Sequence, residues 1–288
     1  ASGEAGGEGG GEAPAAEEKP GACAPPDRGW GRYLPYQKIP GARVSLPELG
    51  EGAPQVFDVL VHFHASEAAR RGFVHEGYPA IFVGVDLGEG SGAYRRAFDE
   101  PEKFSKMLGR VGELLRAHAG PKARLGEITL SSWSAGFGAT TRLLKLFPEK
   151  IRAMIFLDSL YAPFRKDEHG DDIKGEVFAP AVATVLGFAR QAQQGKRRLY
   201  LSYSSIPTEG YASTGTVATH LLGRLDLREM AVTPGVDPRG QVAALDRGGL
   251  HLRGFRGSDA RAHCNHLKLM GEAVRMVRAQ KENAGGQE

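Results

Sequence analysis

A serine held between small residues is the strongest sign of chemistry in this chain. Residues 128–139 read ITLSSWSAGFGA: a short β-branched, apolar run, then Ser132-Trp133-Ser134-Ala135-Gly136, then a helical pattern. Small residues two places before and two places after Ser134 suit a sharp strand-to-helix turn, because a larger Cβ at either place would strike neighbouring backbone. Such a turn pushes the central hydroxyl outward. Ser134 is therefore read as an exposed nucleophile, an alcohol that needs a neighbouring base before it can attack. The usual first glycine of this pattern is here Ser132. A second grouping, residues 86–94 (DLGEGSGAY), is rich in glycine and follows a strand. It lacks the Gly-Lys-[Ser/Thr] ending of a phosphate loop and does not fit Gly-x-Gly-x-x-Gly, so it reads as a loop at the rim of a site.

The elements that must position Ser134 follow from the hydrophobic pattern. Apolar runs at 57–63, 79–86, 128–131, 151–157, 198–203 and 250–255 read as strands. Helical patterns occupy about 102–119, 135–147 (closed by Pro148) and 179–193. A last helix runs through Val277, with Leu267, Met270, Val274 and Val277 spaced by three and four. An antiparallel edge is expected near 43–46. Strands apolar throughout and separated by helices indicate a mostly parallel central sheet covered by helices on both faces, an α/β class. Functional groups then gather at the carboxyl ends of the strands. The chain divides into a linker, 1–28, and one catalytic domain, 29–288.

With a strand-turn-helix serine, this alternation and a late histidine before the final helix, residues 55–280 resemble the α/β-hydrolase superfamily. The Ser134 turn is then its nucleophile elbow, and the superfamily's triad order is serine, acid, histidine. The resemblance implies a base in the loop after the last strand, where His263 is favoured and His266 is the alternative. It implies an acid downstream of the elbow. Asp158, directly after an apolar strand, is favoured over Glu209, although the superfamily more often places the acid one strand later. It also implies an oxyanion hole with one donor from Ala135 and another from the loop after 57–63, where His64 or Ala65 stands in place of a His-Gly-Gly motif. The stretch between 158 and 198 is too short for a full cap domain and reads as a small insertion. The expected activity is that of a serine esterase or lipase-like enzyme, cleaving an ester or related acyl bond through an acyl-enzyme, with no cofactor and no metal. The expected partner is a small or polymeric acyl substrate, of unknown identity. Near Tyr211, either that ring faces substrate or the neighbouring Ser213 is only a helix N-cap.

Two other readings stay open. His62-x-His64 after a strand is similar to the start of the metallo-β-lactamase pattern, though its following Asp-His is missing, and suggests a metal-dependent hydrolase. A hydrolase-fold binding protein without catalysis is the other.

Composition bounds the rest. The 288 residues, 41% hydrophobic and 25% charged, suit one large α/β domain. A net charge of +3 is too small to argue for nucleic acid or an anionic membrane. No apolar run reaches the roughly 18 residues of a transmembrane segment. The 40 glycines are roughly twice the usual share of about 7%, and many fall in the first 28 residues with Glu4, Glu8, Glu12, Glu17 and Glu18. That stretch has too little apolar surface to offset chain entropy and is expected to be disordered. Beginning on Ala1, the chain reads as a processed, exported product (periplasmic, extracellular or once lipid-anchored), with a cytoplasmic protein as the alternative. In an exported protein, Cys23 and Cys264 are candidates for one disulfide.

Overall fold

The apolar runs become the spine of one sheet. A computed structural model describes residues 24–232, 237 and 239–284. The first half of the chain forms strands β1 (Gln37–Ile39), β2 (Ala42–Ser45), β3 (Val56–Phe63), β4 (Ile81–Val85) and β5 (Arg124–Trp133). Between them lie helices α1 (Ser66–Phe73), α2 (Ser91–Ala97) and α3 (Pro101–Ala119). After β5 come α4 (Phe137–Leu146), β6 (Ile151–Leu157), β7 (Phe164–Lys166), β8 (Asp172–Val177), α5 (Ala179–Gln193) and β9 (Arg198–Tyr203). The chain ends with α6 (Thr214–Leu225), β10 (Met230–Ala231), β11 (Gln241–Arg247), β12 (Leu250–Phe255), α7 (Ala260–Asn265) and α8 (Met270–Ala284).

The sheet order is β1-β2-β4-β3-β5-β6-β9-β12-β11-β10. From β4 to β12 every neighbouring pair is parallel, and the pairs at both edges are antiparallel. Strands in such a sheet are buried on both faces. Along β6, Met154 and Phe156 join a core with α3, α4, α5 and α6, while Ala153, Ile155 and Leu157 join one with α1 and α8. From β3 the chain first moves outward to β4, and β5 then lies on the other side of β3. That reversal makes a topological switch point at the carboxyl ends of β3 and β5, the place where open α/β sheets bind ligands in a crevice.

The expected edge at 43–46 is β2. The insertion expected between 158 and 198 includes an antiparallel β7–β8 hairpin and is small rather than a cap. The strand pair β10–β11, inside 206–249, was not legible: β11 is only half-buried and carries a bulge at Gln241/Ala243 that breaks the alternation. The docked chain also begins before residue 29, because Asp27 pairs with the buried Arg70 at 3.0 Å. Residues 1–23 of the expected linker lie outside the described residues. Cys264 is buried and disulfide-bonded, and Cys23 lies outside the described residues. Among the described residues, no helix is long and apolar enough to cross a membrane.

Candidate functional site

Backbone strain marks the crevice. Five non-glycine residues among those described have positive φ, and four of them stand at the strand ends: His64 at 74°, Ala65 at 54°, Ser134 at 47° and Asp158 at 45°. The fifth, Asp226, is the ordinary left-handed cap of α6. Such conformations cost about 1–3 kcal/mol each and persist where the surroundings impose them.

At the turn after β5, Ser134–Gly136 form one 3-10 turn leading into α4. A Cβ on Gly136 would lie 2.1 Å from the Phe63 carbonyl oxygen, so only glycine lets the elbow approach β3 this closely. Ser132 is accommodated differently. Its buried hydroxyl lies 2.7 Å from Ser159 Oγ, which also lies 3.0 Å from the Ser134 carbonyl. A carbonyl only accepts, so Ser159 donates to it and receives the Ser132 proton. The departure from glycine thus adds a hydrogen-bonded brace beneath the turn. Ser134 itself is partly exposed, and its hydroxyl has no hydrogen-bond partner among the described residues.

Asp158 closes the far side. It is fully buried at the end of β6, and its Oδ1 accepts from the Ser204 amide at 2.9 Å and from the Thr214 hydroxyl. Its Oδ2 lies 2.7 Å from His263 Nδ1 on α7. Burial alone would raise this carboxyl, but the bond from His263, the neighbouring His266 and the bond from Thr214 together outweigh it and hold it at about 2. Glu209, the other acid considered, is exposed on a turn.

A second, triad-like row meets the same carboxylate from behind. His266 Nδ1 lies 2.8 Å from Ser202 Oγ, and its Nε2 stands 4.0 Å from Asp158 Oδ2. The 4.0 Å gap is too long for a hydrogen bond, and that nitrogen is buried without a partner. Ser202 lies within β9 at 1% exposure and His266 is 2% exposed, so no substrate carbonyl reaches either. Burial lowers His266 to about 4 and keeps the ring neutral. His266 opens the 3-10 turn His266–Leu269 that separates α7 from α8.

The loop after β3 completes the crevice. His62 is fully buried with both ring nitrogens engaged: Nε2 at 2.8 Å from the His64 carbonyl, which can only accept, and Nδ1 at 2.8 Å from the Ser131 hydroxyl. Nε2 therefore carries the proton, Ser131 donates to Nδ1, and no lone pair is left for a metal. Burial lowers this ring to about 4. His64 Nδ1 lies 3.0 Å from Tyr94 Oη. The His62/His64 metal reading is corrected on these grounds: the rings brace the loop. The His64 amide donates to the Val85 carbonyl at 3.0 Å, so of the two oxyanion donors expected from this loop only Ala65 remains a candidate. The glycine-rich rim contributes through its first residue, as Asp86 accepts from the Ser66 amide at 3.0 Å and pairs with Arg43 at 2.6 Å, tying the Ala65 loop down.

Aromatic rings cluster beside Asp158. The Tyr161 hydroxyl donates to the Asp158 carbonyl at 3.2 Å, and its ring contacts Phe137 at 5.4 Å and the exposed Tyr211 at 5.5 Å. Ser213 caps α6 by accepting from the Thr216 amide at 3.2 Å.

No family model matches the chain, and no curated protein does. Solved structures with some likeness include a thermostable esterase, at 12% identity and a TM-score of 0.47 over 88% of this chain and 63% of that one. This chain thus spans less than two thirds of that esterase. Others are an S-formylglutathione hydrolase from Agrobacterium tumefaciens (14%, 0.47, 86% and 99%) and a feruloyl esterase module from Clostridium thermocellum (11%, 0.46, 92% and 93%). Likeness at this level is too shallow to carry an assignment, which rests on the strand order and the crevice.

Proposed function

We infer that this chain, an α/β-hydrolase by the order of its strands and the turn that carries Ser134, is a serine hydrolase acting on an ester or related acyl bond. One observation carries the reading: a buried, ionised Asp158 bonded at 2.7 Å to His263, in a crevice with a partly exposed serine on a strained turn. In this assignment Asp158 orients the imidazole with Nδ1 protonated, which leaves Nε2 to take the proton of Ser134. Ser134 Oγ attacks the carbonyl carbon, and the negative oxygen is received by the amides of Ala135 and Ala65. His263 returns the proton to the leaving alcohol or amine, then activates the water that releases the acid. The Ser134–His263 bond, absent in the free site, forms as substrate seats, as catalytic bonds often tighten on binding. The disulfide-bonded Cys264 supports an oxidising compartment for the protein.

A serine-reactive fluorophosphonate should label the protein, and Ser134→Ala should abolish labelling. Labelling that survives in that variant and disappears in Ser202→Ala would transfer the nucleophile to the buried row. A chain that labels at neither serine is a binding protein on a hydrolase fold.

A further inference from the structure

Trp133 precedes the nucleophile and touches both other working parts of the crevice. Its ring stacks on His263 with centroids 4.5 Å apart and an interplanar angle of 27°. It also stacks on His64, at 5.2 Å and 9°. Its indole Nε1–H donates to the His263 carbonyl at 3.1 Å, a bond from the elbow to the backbone of α7. Three segments far apart in sequence therefore meet on one ring: the loop carrying Ala65, the elbow and the helix carrying His263. The backbone of α7, six residues long, is also held by an N-cap bond from Ala262 N to Asp259 Oδ1 at 2.8 Å and by the disulfide at the buried Cys264. Asp158 fixes only the Nδ1 side of the imidazole. Rotation of the ring about that bond stays open unless something flat lies against its face.

We propose that Trp133 is a positioning residue for His263: its ring supports the imidazole face and its N–H anchors the helix, keeping Nε2 turned toward Ser134. This rests on the serine-hydrolase reading. Through His64, itself held by Tyr94, the same ring keeps the Ala65 loop in register with the base. Loss of the stack lets the imidazole turn while Asp158, Ser134 and the carbonyl-binding amides remain in place. The damage then falls on turnover rather than on substrate binding, since misplacement of about 1 Å costs about 100-fold in rate.

The test compares Trp133→Leu, which removes ring and donor, with Trp133→Phe, which keeps a ring. Leucine should lower kcat about 100-fold with KM little changed, and phenylalanine should recover most of that loss. Rates of fluorophosphonate labelling should follow the same order, with thermal unfolding measured alongside. Wild-type kcat in a folded leucine variant overturns the proposal, as does a phenylalanine variant no faster than His263→Gln. Should leucine fail to fold, the phenylalanine variant decides alone by the same criterion. Wild-type labelling is the control: if the unmodified protein does not label at Ser134, the serine-hydrolase reading fails, whereas uniform labelling across the variants removes only Trp133.

Discussion

Asp158 stands between two histidines three residues apart, and the two rows they form differ in almost everything but composition. On the front, His263 is bonded at 2.7 Å and opens onto a crevice with a partly exposed serine in a left-handed turn. Behind, His266 is buried, reaches Ser202 near the end of a regular strand and stops 4.0 Å short of the carboxylate. Residue types alone make both rows serine, histidine and aspartate. What separates them is access and backbone strain: a nucleophile must meet a carbonyl carbon, and a hydroxyl inside a sheet meets only its neighbours. The rear row serves as a brace. His266 Nδ1 holds the Ser202 hydroxyl, which also faces the Phe156 carbonyl, while the direct bonds to Asp158 come from Ser204, Thr214 and His263.

Exchanging the two rows by mutation breaks or sharpens this contrast. The largest effect belongs to the serines: Ser134→Ala should lose about 10,000-fold or more in kcat, while Ser202→Ala stays within about tenfold, measured on a chromogenic ester. Equal losses would erase the distinction. Asp158→Asn, which touches both rows, should cost about 10,000-fold by releasing the His263 tautomer, as removal of that charge does in serine proteases. Smaller again is His266→Gln, expected to lower kcat less than about tenfold because the direct bonds to Asp158 remain. A loss matching that of Asp158→Asn would make the rear row part of the chemistry.

The smallest effect is on acid stability. Burial holds folded His266 and His62 at about 4, against 6.5 when unfolded. Between those values the unfolded chain binds protons that the folded chain does not, so stability is complete above pH 6.5 and falls as pH drops toward 4. His266→Gln should flatten that fall in a series of melting temperatures while leaving the share from His62. A variant with an unchanged slope would show that His266 is not the buried neutral ring described here. Asp158 acts at lower pH, its contribution being lost from about 3.8 down to about 2.

Much of the fold was legible because parallel strands buried on both faces leave continuous apolar runs, as at 57–63 and 151–157. Ser134 was legible for a related reason, since a tight turn admits only small flanks and Gly136 has no room for a Cβ. The pairing of Asp158 with His263 spans 105 residues, and no local pattern reports it. The preference for His263 over His266 came from the resemblance, since no local pattern separates the two. Both follow β12 and both lie near Asp158, but the switch from α7 to a 3-10 turn sends one ring to the crevice and the other to Ser202. The backbone donors were the least legible, because it took the bond between His64 N and Val85 O to remove one candidate and leave Ala65.

By itself, then, the amino-acid order determined a parallel α/β sheet and a serine on a strained strand-to-helix turn, since hydrophobic runs and steric room at small residues are local properties. Only the tertiary structure paired Asp158 with His263 and His266 with Ser202. It also placed a second row of the same three residue types inside the packed sheet. Burial, hydrogen-bond direction and access belong to the packed chain, and these separate a reacting group from its brace.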